Sequence, residues 1–239
     1  MNLNGCLLSL LAGLYLSACT TRSISNSEYG GNLHYHGELT ELEVLGIDPD
    51  REISEESISE AFQQRTRIKL NRGDSIVLVQ SGKRFPDETM ITAAEAYFKV
   101  IPLSGVPRQN RQHHKVKTNS TLDKPFRLAA ARGGADLIIV YWGILETARK
   151  GHATKMVSWV PLAGKIIPDE KQSTRIRLKA IIMDVSSGNW EMLTPAVYSD
   201  EKTTAKINRR QKDQQQIDRL KTKAYQRLIE DIQTRFDEP

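Results

Sequence analysis

The run Leu137-Ile-Ile-Val-Tyr141 is continuously apolar, β-branched and aromatic. It is too short for an ordinary helix, which predicts a strand buried on both faces. Pro125 to Ala131 precedes it as a helix rich in alanine, and Gly133 or Gly134 supplies a left-handed stop. Beyond Gly143 the strand is expected to continue through Ile144 and Leu145 towards Thr147, with Arg149–Lys155 as a polar connection. Upstream, a turn at Asn71–Asp74 introduces a second buried strand, Ser75–Gln80, which Ser81-Gly82 breaks. Pro86-Asp87-Glu88 opens a helix with Met90, Ala94, Tyr97 and Phe98 on its apolar face, and Val100–Leu103 is a short strand.

Downstream, Thr174 to Ala180 alternates polar with aliphatic residues, the mark of a half-exposed strand, and passes into Ile181–Met183. Asp184–Gly188 is a hairpin turn into Trp190–Tyr198. Thr204 to Phe236 carries Ile217, Leu220, Ala224, Leu228 and Ile232 at steps of three and four, an amphipathic helix about 45 Å long. A shorter one is expected over Ser54–Arg65, with Ile58, Ala61 and Phe62 on one face and Ser54 as N-cap. The pattern is that of an α/β (α+β) domain. It has a mixed central sheet of about four to six strands flanked by helices, and a long C-terminal amphipathic helix.

Met1–Ala18 has no charged side chain, and its apolar block Leu7–Leu16 is too short to span a bilayer. It fits the h-region of a signal peptide. Leu16-Ser17-Ala18-Cys19 resembles the lipobox of bacterial lipoproteins, where cleavage leaves the cysteine as N-terminus. The resemblance implies that Cys19 is lipidated. Maturation of such proteins leaves three acyl chains, and one alone, at about 0.8 kcal/mol per buried CH₂, gives only reversible attachment. Residue 20 is Thr rather than the Asp associated with inner-membrane retention, so the outer membrane, facing the periplasm, is the expected address. Thr20–Leu39 is rich in Ser, Asn, Gly and Thr, and 19–50 reads as the lipidated N-terminus and a flexible tether. Residues 51–239 then form a single α/β domain.

Composition narrows the chemistry. Cys6 leaves with the signal peptide, so the mature chain has no second thiol for a disulfide or redox pair. The net charge of +5 suits anionic head groups or peptidoglycan carboxylates. Nucleic acid is not an expected partner, because no aromatic–basic motif accompanies the charge. The basic block Arg108–Lys117, with His113 and His114, reads as a solvated loop, and so does His34-Tyr-His36, which lacks a third ligand nearby. There is no HExxH, no GxSxG, and no acidic cluster with metal-site spacing, so neither a cofactor nor a metal is expected. The segment Met156–Pro168 is strongly apolar but contains Pro161 and Pro168, which forbid a regular central strand. Trp159, Val160, Leu162 and Ile166 are its candidate partner-binding residues, the bland alternative being that they fold back as core.

The order strand, helix, strand, helix, long strand, hairpin, terminal helix resembles a fold shared by three periplasmic proteins. They are the N-terminal domain of TolB, the lipoprotein LpoB and the curli secretion lipoprotein CsgG. The residues that carry the resemblance are Ser75–Gln80, Gly134–Val140 and the Arg177–Val185 strand ending in Asp184-Val-Ser-Ser-Gly188. More closely, Val157-Ser-Trp-Val-Pro161 with Pro168-Asp-Glu-Lys-Gln172 is similar to a set of small proteobacterial lipoproteins sometimes labelled aminopeptidases. With no catalytic motif present, the expectation is a lipid-anchored, non-catalytic binding or scaffold module whose partner is an envelope protein or peptidoglycan. The alternatives are a peptidase, which has no matching motif here, and an oligomeric secretion component. The curli protein inserts β-hairpins into the outer membrane, and no alternating pair of about ten residues each is apparent in this sequence.

Overall fold

The structure, a computed structural model, describes residues 19–28, 34–107, 121–151, 170–204 and 209–236. Among these residues one mixed sheet contains seven strands, more than the four to six expected. They are β1 Cys19–Ser23, β2 Ser75–Ser81, β3 Lys99–Gly105, β4 Leu137–Gly151, β5 Glu170–Asp184, β6 Trp190–Leu193 and β7 Tyr198–Thr204. The α-helices are α1 Glu41–Val44, α2 Glu55–Gln63, α3 Glu88–Glu95, α4 Asp123–Arg132 and α5 Arg209–Phe236, and a 3₁₀ turn, Ile24–Asn26, follows β1.

β4 and β5, each 15 residues long, pair antiparallel from Leu137–Asp184 to Gly151–Glu170. Each is long enough to take two neighbours end to end. On the outer edge of β4, β2 runs parallel to Leu137–Tyr141 and β1 antiparallel to Ile144–Ala148. On the outer edge of β5, β6 pairs with Ala180–Met183 and β7 with Glu170–Ile176. β3 lies parallel outside β2, and its place at the edge accommodates Pro102, which has no N–H to give to an inner ladder.

Strand alternation divides the core. Ile76, Leu78, Leu137, Ile139, Tyr141, Leu145, Ile176 and Leu178 lie beneath α3 and α5. Val77, Val79, Ile138, Val140, Trp142, Ile181 and Met183 lie on the opposite face with Phe126 and Ala130 of α4 and with Leu39 and Val44. The expected stripe of α5 is buried as a unit, joined by Tyr225, Ile229 and Phe236. Of the two glycines after α4, Gly134 takes the left-handed conformation, at φ 73°.

Several boundaries differ from the sequence reading. β4 does not end near Thr147, and of the expected connection Arg149–Lys155 the first three residues, Arg149–Gly151, stay in the ladder with β5, the others lying outside the described residues. The chain therefore does contain a long antiparallel pair. Polar residues such as Glu146, Arg175 and Arg177 belong in it because that stretch of sheet carries a polar, part-exposed face. The expected strand Trp190–Tyr198 divides into β6 and β7 around Pro195, and the chain crosses from one half of β5 to the other. α5 starts at Arg209 rather than Thr204, which ends β7.

The N-terminal segment differs most from a flexible tether. Thr20 and Thr21, both β-branched, lie in a paired strand, and Ile24 is wholly buried. Leu39 and Val44 are core residues, and Thr40 with Glu43 forms a reciprocal capping box at the start of α1. α2 does form with Ser54 as its N-cap, but none of its residues is buried, and Phe62 is 76% exposed.

A candidate binding cleft and the buried carboxylate behind the sheet

On the α4 side of the sheet, the far half of β4 and β5 exposes an amphipathic surface. Even-numbered β4 positions face this way: Trp142, Ile144 and Glu146. Their counterparts on β5 are Arg175, Arg177 and Lys179. Trp142 is 5% exposed and fixed in place, its indole N–H donating to the Leu39 carbonyl at 2.7 Å. The Lys179 ammonium sits 5.4 Å from the centroid of that ring and pairs with Glu41. Arg175 and Arg177 converge on Glu146, at 2.5 and 3.3 Å, yet their side chains remain about half exposed.

Trp142, Ile144, Arg177 and Lys179, with Glu38, Thr40, Glu41 and Thr194, line an open cleft of about 440 Å³, and the Glu146–Arg175 pair lies beyond it along the strands. Burial raises the Glu38 carboxyl above its ordinary range, opposed by the hydrogen bond that the Ser23 hydroxyl donates at 2.7 Å and by the charge of Lys179. The floor is aromatic and aliphatic, while the walls carry both signs of charge. Such a surface can take an apolar group on its floor and ion-pair with a carboxylate at once.

Behind the sheet lies a closed polar cluster. Asp87 begins α3, but its side chain makes no cap there and turns inward. Its Oδ2 accepts from Lys221 Nζ at 2.9 Å and from the Tyr225 hydroxyl at 2.6 Å, and its Oδ1 from Lys83 at 2.5 Å. Burial alone would raise this carboxyl; the Lys221 charge and the bonds from Lys83 and Tyr225 outweigh it and hold the pKa at about 2. Gln80, at the carboxyl end of β2, accepts from Tyr141 and from the Asp87 backbone, both at 2.7 Å, and donates to Ser25 at 3.0 Å. Lys221 also donates to the Ile24 carbonyl at 2.9 Å, and Ser25 to that of Ser81 at 2.5 Å. The cluster therefore clamps the 3₁₀ turn between α3, α5 and the end of β2.

Neither the cleft nor the clamp was anticipated from the sequence. Lys221 did leave a signal, a cation set beside Leu220 in the apolar stripe of α5. Of the expected site residues, Cys19 opens β1, opposite Ala148. Trp159, Val160, Leu162 and Ile166 lie outside the described residues, as do Arg108–Lys117. His34 and His36 lie in the loop before Glu38. Among the described residues no three His, Cys, Asp or Glu gather as metal ligands, and no helix is long and apolar enough to cross a membrane.

A crystal structure of a neuraminyllactose-binding hemagglutinin homolog from Helicobacter pylori is similar over 72% of this chain and 91% of that one. The identity is 9% and the TM-score 0.27, too loose a likeness to carry an inference about fold or ligand. No curated protein matches the sequence. The model of the YafT bacterial lipoproteins matches residues 40–235, nearly all of the domain just described, and the chain belongs to that family.

Proposed function

We propose that this lipoprotein is a non-catalytic binding module of the cell envelope, anchored in the outer membrane through lipid on Cys19 and facing the periplasm. The observation that carries the reading is the continuity of anchor and cleft. The cysteine expected to hold lipid opens a strand of the same sheet whose other residues form the Trp142–Lys179 surface. In this reading residues 1–18 are removed, and the folded unit begins at Cys19 rather than at residue 51. The cleft cations Arg177 and Lys179, with Arg175 next along the strand, suit carboxylates, whether of peptidoglycan or of an acidic envelope protein. Trp159, Val160, Leu162 and Ile166, between β4 and β5 in the chain, supply a separate apolar contact to an envelope partner.

The element order supports a domain related to those of TolB, LpoB and CsgG. A curli-like membrane hairpin is disfavoured on new grounds. Length is available in β4 and β5, but Glu146, Arg175 and Arg177 on one face do not suit lipid.

The test combines labelling with capture. Wild-type protein in growing cells should incorporate radiolabelled palmitate and fractionate with the outer membrane, while Cys19→Ala should do neither. Cross-linked envelope partners should be retained by wild type and lost by the double variant Arg177→Glu/Lys179→Glu, with lipidation intact. Unlabelled wild-type protein overturns the anchor, and an unchanged partner set overturns the cleft.

A further inference from the structure

We infer that the domain is held directly against the bilayer, with the Gly151–Glu170 end of the β4–β5 pair directed at the phospholipid head groups. This inference rests on lipidation of Cys19. Given that anchor, the register fixes the geometry. Cys19 pairs with Ala148, and the last pair of the ladder, Gly151–Glu170, lies only three positions further along. At about 3.3 Å per residue that is about 10 Å. The opposite end of β5, at Asp184, is 14 residue steps from Glu170, or about 45 Å.

The connection between anchor and core is short and fixed. Four residues separate Cys19 from Ile24, and all four lie in β1. A fully extended chain of that length reaches only about 15 Å. Ile24 is wholly buried against Gly143, where an added Cβ would lie 2.9 Å from Ile24 Cδ1. Its carbonyl accepts from Lys221, and the neighbouring Ser25 is held by Gln80 and Ser81. Acyl chains on Cys19 must enter the bilayer, so the sheet end beside that residue comes with them. Over the ladder positions from Ala148 to Gly151 the three strands β4, β5 and β7 carry Arg149, Lys150, Lys171 and Lys202 in sequence against Glu170 and Glu201, an excess of cations. This balance suits anionic head groups, where each cation near the surface contributes about 1 kcal/mol.

The experiment uses full-length lipidated protein in vesicles of phosphatidylethanolamine and phosphatidylglycerol doped with a head-group nitroxide lipid. A bimane fluorophore is placed through Lys150→Cys at the near end, or through Arg132→Cys at the exposed end of α4 by the start of β4. Flotation with the vesicles first establishes that each protein is anchored. The Lys150→Cys label should lose fluorescence to the nitroxide and the Arg132→Cys label should not. A Gly/Ser insertion after Cys19 should abolish that loss while flotation persists. Equal quenching at both sites, or none at either, in protein that floats overturns the orientation and leaves the anchor standing. Failure to float overturns the anchor, and the orientation with it.

Discussion

Lys221 reaches from the terminal helix to Asp87 at the start of α3, Nζ 2.9 Å from Oδ2, with only about a tenth of either side chain exposed. The pair sits 134 residues apart in sequence and is the hub of the clamp on Ile24 and Ser25. Removing one member of a buried pair strands the other. Asp87→Ala should therefore cost about 3–5 kcal/mol in urea unfolding. The double variant Asp87→Asn/Lys221→Met should lose clearly less than the two single losses combined, since the partners act together.

Acid should weaken the same cluster. The Asp87 carboxyl titrates at about 2 in the fold and near 3.8 when unfolded. A lowered folded value gives stability that is present above the unfolded value and is lost as pH falls from about 4 to about 2. The contribution is about 2–3 kcal/mol. Urea midpoints of wild type and Asp87→Asn, followed from pH 7 to pH 2, should converge across that window.

Gly143 should not tolerate a side chain. A Cβ there would lie 2.5 Å from Leu178 Cδ2 and 2.9 Å from Ile24 Cδ1. Both neighbours are side-chain ends that can shift, so Gly143→Ala should cost about 1–3 kcal/mol rather than prevent folding. The 3₁₀ turn is the element displaced. Amide hydrogen exchange should accelerate over residues 24–27 in this variant while β2 stays protected.

α2 makes the opposite prediction. Phe62 and Ile58 are 76% and 53% exposed, so Phe62→Ala should change the unfolding free energy by no more than about 0.5 kcal/mol. A loss of 2 kcal/mol or more, in the range of about 3–5 for a buried Phe, would mean that this helix packs against something in solution.

Trp159→Ala tests the proposed apolar contact. The melting temperature should stay within about 1 °C of wild type, a shift corresponding to a few tenths of a kcal/mol. Capture of envelope partners should fall. A large drop in melting temperature would instead assign Trp159 to the core.

The parts legible in the sequence were those whose cause is local. Leu137–Tyr141 and Ser75–Gln80 announced buried strands by unbroken apolar character. Asp184–Gly188 announced its turn, and Ile217 to Ile232 repeated at helical spacing along α5. The illegible parts arise from partners far away in the chain. Cys19–Ser23 looks like a polar linker until β4 supplies its ladder, and Glu146 and Arg175 look like loop residues until they meet across β4 and β5. α2 shows the converse error. Its apolar residues recur at helical spacing and the helix forms, yet an amphipathic pattern does not guarantee that a core lies within reach.

The strand that carries Cys19 is completed only by residues about 130 positions later in the chain. Under the proposed export and lipidation, it stays without its partner until β4 has emerged from the translocation channel. The cysteine is therefore presented on a loose, extended leader for as long as the rest of the polypeptide is in transit. Enzymes that need that backbone stretched out to modify it would act within this interval. Closure of the sheet would then convert a temporary handle into a rigid mooring.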